Sequence, residues 1–195
     1  AAEETSPIFA ESWHTDWSFQ ETPPAGTCLY GITIPPVGGD TWFADQHLAL
    51  ERMPDALRTK LAGKIAIHSA RIPYARTGVY GDEDRKSRSM DIRASDEALT
   101  AEYRHPIISW HPETGRERIF GCVGYITGFV DTAPEEGMAL LAELYEWQTR
   151  EDFQYRHKWS ENMLVMWDNR SVLHRATSGF DGHARLLYRT TIGAA

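Results

Sequence analysis

Thr27-Cys28-Leu29-Tyr30-Gly31-Ile32-Thr33-Ile34 is β-branched and aromatic along most of its length and reads as a strand. The run Pro35-Pro36-Val37-Gly38-Gly39-Asp40 breaks it, and Thr41 to Ala44 resumes an extended course. The same character recurs at Lys64–Ser69, Phe153–Trp159, Met163–Trp167 and Arg185–Thr191. Ile107–Trp110 and Arg118–Cys122 flank the Pro/Gly turn His111-Pro112-Glu113-Thr114-Gly115 as a hairpin. Helices are fewer. Asp45 can cap one, and Pro54 can start another that runs to Leu61 and stops at Gly63. Thr132 with Glu135 has the spacing of a capping box, and the helix after it is expected to bury Met138, Leu141, Ala142 and Tyr145. Many short strands and a few helices predict a mostly β fold with flanking helices, a double-stranded β-helix or jelly roll.

The chain has 195 residues, enough for one domain with a sizeable core, and its seven Trp, eight Tyr and seven Phe give that core bulk. A net charge of −8 argues against a nucleic-acid partner, although a few buried arginines can still build a local anion site. No apolar run is long enough to span a bilayer, so no membrane partner is expected. Ala1 to Ser6 is acidic and polar, unlike a signal peptide, and a cytoplasmic location is expected. Cys28 and Cys122 fall in apolar segments and read as reduced thiols, with a disulfide between them left open. The chain starts without Met and reaches its first motif at position 14, so residues 1–195 are expected to form a single domain lacking an N-terminal portion. A homo-oligomer is compatible with the sequence, which does not set the oligomeric state. Residues 76–95 are charged and poor in apolar side chains, and they read as a solvated loop, a lid over a site, or both.

His14-Thr15-Asp16 near one end and His174 near the other supply two imidazoles and a carboxylate without a thiol. That donor set suits divalent iron with open positions for substrate and oxygen. In a strand, His14 and Asp16 would project to one side. His174 closes Trp167-Asp168-Asn169-Arg170-Ser171-Val172-Leu173-His174, which reads as a strand leaving the core. Arg185 follows eleven residues later and offers a guanidinium fork to an organic acid. Arg189 lies an even four residues further on, so both arginines would share one strand face. Among the other histidines, His68 ends a strand and reads either as a hydrogen-bonded structural residue or as one facing a cavity. His183 sits in a Gly-rich turn and reads as solvated.

Taken in order, Trp13-His14-Thr15-Asp16, Gly38-Gly39-Asp40-Thr41, His111-Pro112-Glu113-Thr114-Gly115-Arg116, Trp167-Asp168-Asn169-Arg170 with His174, and Arg185 with Arg189 resemble the TauD/TfdA (taurine dioxygenase) family of Fe(II)- and 2-oxoglutarate-dependent oxygenases. The likeness runs from about Trp13 to Thr191. It implies that His14, Asp16 and His174 hold Fe(II), that Arg185 and Thr41 bind the distal carboxylate of 2-oxoglutarate, and that Ile32 lines that pocket. It also implies that Trp17 lines the 2-oxoglutarate pocket with Ile32, that O2 is the second cosubstrate and that Arg189 grips an acidic substrate; Trp17 beside the motif and Tyr74 near the charged loop would favour an aromatic one. Asp168 and Asn169 read as turn residues or as residues whose hydrogen bonds orient His174, and Trp159 and Trp167 read as core aromatics. The expected reaction hydroxylates a small organic acid of the sulfonate, sulfate or aryloxyalkanoate type and releases succinate and CO2. Position 10 is Ala where the taurine enzymes carry an amide, which separates this chain from that substrate pattern. A noncatalytic metal-binding jelly roll and a zinc hydrolase using the same ligands stay open on the residues alone.

Overall fold

Strand β1 (Gly26–Thr33) is hydrogen-bonded on both edges, antiparallel to β9 (Leu164–Asp168) on one side and to β11 (Leu186–Ile192) on the other. The computed structural model that carries it describes residues 10–76, 78, 80–81 and 95–193. Alternation along β1 sorts its side chains between two faces. Thr27 is fully buried opposite Trp167, whereas Cys28 and Tyr30 register with Met166 and Leu164 on the other face. That outer face leaves Leu164, Met166 and Tyr188 exposed. A second sheet places β2 (Thr41–Asp45) between β8 (Gln154–His157) and β10 (Val172–Ala176), all antiparallel. A third places β3 (Ile65–His68) between β4 (Tyr103–Pro106) and β7 (Ile126–Phe129), and β5 (Ile108–Trp110) pairs with β6 (Glu117–Ile119) as a hairpin.

The helices are α1 (Gln46–Glu51), α2 (Asp55–Leu61), α3 (Arg71–Tyr74), α4 (Asp96–Thr100) and α5 (Pro134–Gln148). The fold is thus mostly β with a few helices. The expected cap at Asp45 is present: its carboxylate accepts from His47 N–H and Leu48 N–H, a contribution of roughly 1 kcal/mol. Pro54 is the N-cap of α2, just before its first turn, and Gly63 follows its end with φ +70°. The main core lies where α1, α2 and α5 meet β6 and β7, around Leu50, Leu61, Ile107, Ile126, Leu141 and Leu144. No helix among the described residues is long and apolar enough to cross a membrane.

Three local expectations change. The capping box fails because Thr132 lies outside α5: its hydroxyl bonds Val130 O and accepts from Lys64 Nζ, while Ala133 is the N-cap and Pro134 opens the helix. The buried face of α5 is Gly137, Leu140, Leu141, Leu144 and Gln148, whereas Met138 and Ala142 are exposed. The face is set by what α5 packs on: Gly137 lies against Phe129 of β7, and hydrophobicity gives no signal for a buried glycine. The segment 167–174 is two strands in different sheets, since Asp168 turns the chain. Its Oδ1 accepts from Arg170 N–H at 2.8 Å, and its carbonyl accepts from Ser171 N–H. In the charged segment 76–95, residues 77, 79 and 82–94 lie outside the described residues, and the expected lid lies there with them.

Candidate metal centre

His14 and His174 are brought together by main chain. Their peptide groups exchange hydrogen bonds of 3.0 and 2.8 Å in a single antiparallel bridge, so the two rings lie side by side, tilted at 48° with centroids 4.2 Å apart. His14 sits in this isolated bridge and Asp16 begins a turn, so no continuous strand carries the pair. Both Nε2 atoms nevertheless lie 3.8 Å from the same oxygen, Asp16 Oδ1. All three side chains are buried, and one donor atom from each lies within 4.8 Å of the others. Such separations suit an ion bonded at about 2.0–2.2 Å to N and O donors, with a small inward movement.

Charge fits as well. Burial pushes the His174 imidazole down to about 3, with His14 adding to the effect. Burial likewise lowers His14, against the pull of Asp16. For Asp16, burial alone would raise the pKa. His174, His14, Arg189 and the Thr27 hydroxyl together outweigh it, and the carboxyl stays ionised. Two neutral imidazoles and one carboxylate carry one negative charge, a donor set for a divalent cation.

Around this centre, Arg189 Nη2 lies 2.9 Å from Asp16 Oδ1, and its guanidinium sits over the Trp17 ring, 5.2 Å from the centroid. Trp17 holds a left-handed backbone at φ +48° in the turn after Asp16. Arg185 lies just before β11, where its Nε donates to Gly39 O at 3.0 Å. Burial pushes its pKa down to about 10, against the pull of Asp40, so it is charged at neutral pH. Gly38, at φ +66°, lies so close to Gly179 that a Cβ would be 2.4 Å from its backbone; this approach brings the loop before β2 against the one before Arg185. Thr41, the first residue of β2, is buried, and its hydroxyl accepts from Trp159 Nε1 at 3.0 Å. Its own proton is left for another acceptor. Ile32 is half-buried where the β1–β11 register shifts between Gly31 and Thr33. Tyr74 belongs to a buried cluster with Tyr80 and Tyr125, its hydroxyl 3.2 Å from that of Tyr125. Burial raises its pKa, and the charges of Asp16 and Arg189 also act on it, which places it within electrostatic reach of the centre.

Neither Asp168 nor Asn169 makes a hydrogen bond with His174, contrary to expectation. Asp168 accepts from Arg170 and lies 2.9 Å from His111 Nε2, whereas Asn169 donates to Thr27, which in turn donates to Asp16 Oδ2 at 2.6 Å. Trp167 is buried, as expected of a core aromatic, but its ring packs on His174 with centroids 4.6 Å apart. Thr27 and Phe43, whose ring lies 6.3 Å from that of His174, carried no site signal in the sequence, and Asn169 was expected at His174 rather than at Thr27. His68 is buried and bonded through Nδ1 to Ser18 Oγ at 2.9 Å, the structural role of the two foreseen, and His183 is exposed. Cys28 and Cys122 are free thiols.

Fold and geometry together give, among the described residues, a mostly β protein with a buried candidate metal centre of two histidines and one aspartate, with Arg189 against the aspartate. The chain belongs to the taurine catabolism dioxygenase TauD, TfdA family, whose model matches residues 2–191. It is 37% identical over 166 residues to the alpha-ketoglutarate-dependent 2,4-dichlorophenoxyacetate dioxygenase of Cupriavidus pinatubonensis, covering 84% of this chain and 53% of that protein. It is 30% identical over 184 residues to an alkylsulfatase of Acinetobacter baylyi, covering 94% and 56%. Among solved structures, a taurine dioxygenase from Burkholderia xenovorans superposes with a TM-score of 0.76 at 30% identity, covering 98% of this chain and 60% of that one. AAD-2, solved with Mn(II) and N-oxalylglycine, gives 0.76 at 26% identity, with coverage of 94% and 69%. The chain therefore spans little more than half the length of the curated relatives it matches.

Proposed function

We propose that the protein is an Fe(II)- and 2-oxoglutarate-dependent dioxygenase that hydroxylates a small organic acid, with release of succinate and CO2. The observation that carries this reading is the convergence of two neutral imidazoles on one oxygen of an ionised carboxylate. His14, Asp16 and His174 would hold the iron. When bound, the iron supplies the activation of O2 that couples decarboxylation of 2-oxoglutarate to hydroxylation of the substrate.

The remaining residues bind and orient. Arg185 offers its fork, and Thr41 a hydroxyl proton, to the distal carboxylate of 2-oxoglutarate, with Ile32 beside them. A charge-assisted pair held by Gly39 O fixes the direction of that carboxylate. Arg189, steadied on Trp17, offers a cation to an acidic substrate next to Asp16, with Tyr74 behind it. Relatives of this family are named for chlorophenoxyacetate, alkyl sulfate and sulfonate substrates, which supports the sulfonate, sulfate and aryloxyalkanoate classes. The sheets built on β1 and β2 face each other across this site as the two halves of a double-stranded β-helix.

The test is to add Fe(II) and then 2-oxoglutarate to the purified protein without oxygen, and to look for the visible charge-transfer band of an iron–keto-acid chelate. Admission of O2 with a panel of aryloxyacetates, alkyl sulfates and sulfonates should then yield succinate with at least one of them. A folded protein that binds iron but gives neither band nor succinate would refute the proposal.

A further inference from the structure

We propose that Asn169 is a positioning residue for all three metal donors, acting through a directed hydrogen-bond chain that ends on Asp16 Oδ2; the inference rests on the metal-centre reading above. The direction of the chain is forced by chemistry. Trp167 Nε1 can only donate, so the Asn169 atom 2.8 Å from it is the amide oxygen. The amide NH2 therefore faces Thr27 Oγ1, also at 2.8 Å. With that NH2 donating to it, the Thr27 hydroxyl turns its own proton to Asp16 Oδ2 at 2.6 Å. Asp16 Oδ2 is thus committed to a hydroxyl donor, and Oδ1 is the oxygen that faces the two imidazole Nε2 atoms, with Arg189 Nη2 also 2.9 Å from it.

The same residue reaches the other two donors. Its carbonyl accepts from Thr15 Oγ1 at 2.5 Å, and Thr15 stands between His14 and Asp16. The indole that it anchors lies on the His174 ring. Its backbone is pinned in turn, with Asn169 N–H donating to Ala25 O at 2.9 Å and the neighbouring Arg170 O accepting from Arg118 Nη1. Thr15, Thr27 and Asn169 are each buried to within 2% of full exclusion, so water does not reach the chain to replace a lost partner. Groups that orient metal donors in this manner tune affinity without touching the ion.

The test measures Mn(II) affinity by the electron paramagnetic resonance signal of free ion, together with thermal unfolding of each metal-free protein. Thr27→Val and Asn169→Asp are expected to weaken Mn(II) binding by about 10–100-fold, while Thr27→Ser, which keeps the hydroxyl, binds nearly as well as the parent. If the parent itself fails to bind Mn(II), the metal-centre reading falls and takes this inference with it. If the parent binds and both loss variants bind equally well, the inference alone is overturned. Equal weakening in Thr27→Ser and Thr27→Val would overturn it in favour of simple packing. So would loss of a cooperative unfolding transition in both Thr27→Val and Asn169→Asp.

Discussion

Arg185 lays its Nε against the carbonyl oxygen of Gly39 at 3.0 Å, which leaves the two terminal nitrogens of the guanidinium as its fork. The positive φ of Gly39, +69°, and its close fit to the Arg185 side chain make this contact specific to glycine. Replacing Arg185 with Lys keeps the charge and loses the fork. Charged hydrogen bonds of this kind contribute about 1.5–3 kcal/mol, so the KM for 2-oxoglutarate should rise roughly 10–100-fold. The kcat should change far less. Steady-state kinetics with 2-oxoglutarate varied would check this, and an unchanged KM would remove Arg185 from the site.

The bridge between His14 and His174 is made by main chain, so it does not depend on either imidazole. His14→Ala should therefore leave the fold in place, with a stability loss of about 1 kcal/mol, typical of a single substitution. Metal binding and turnover should both disappear. Circular dichroism alongside metal analysis would separate the two effects, and turnover surviving in this variant would refute the ligand assignment.

A second group of donors, His111, Glu113 and Asp168, also lies within metal-binding distance. Arg170 already occupies it, with nitrogens 2.9 and 3.0 Å from the two Glu113 oxygens and 2.6 Å from Asp168 Oδ2. The hydrogen bonds of Arg170 hold Asp168 down to about 2, with His111 adding to the effect, despite the opposing influence of burial. A fixed cation there excludes a mobile one. Titration should saturate at one metal ion per chain, and a second ion bound in the parent but lost in Asp168→Asn would contradict this.

His68 sets a different dependence. Burial, with the charge of His105 adding to it, pushes its pKa down to about 3. An unfolded His titrates near 6.5. Above that pH both states are neutral and this group gives no slope. Between the two values the unfolded chain holds a proton that the native one does not, so stability falls as pH falls, by about 1.4 kcal/mol per pH unit. His68→Asn should lose that share of the slope while keeping a donor toward Ser18. Urea unfolding of both proteins at pH 7, 6 and 5 would show it, and parallel slopes would contradict the assignment.

The residues that the fold gathers at His14, Asp16 and His174 stood out in the sequence because their chemistry is rare in combination: two imidazoles, one carboxylate and an arginine at a fixed offset. Strand positions were legible from β-branched runs, and Asp45 from its place before a helix. What escaped the sequence was everything that acts through burial. Thr27 reads as an ordinary strand residue and Asn169 as a turn residue, and only the register of β1 on β9 sets the two side chains in contact. Segment 167–174 looked like one strand because hydrophobicity does not register the Asp168 turn. The face of α5 was misplaced for a related reason, since a buried glycine such as Gly137 has no apolar side chain to mark its face.

The joining of His14 to His174 also fixes an order in time. Ribosomal synthesis makes His14 and Asp16 well before the third proposed ligand, because His174 lies 160 positions after His14. The peptide bridge that aligns the rings spans almost the whole described chain, among the most expensive loops to close. A centre of the proposed kind can load only after both remote segments have been made and paired, so a bound metal would report that each has found its place.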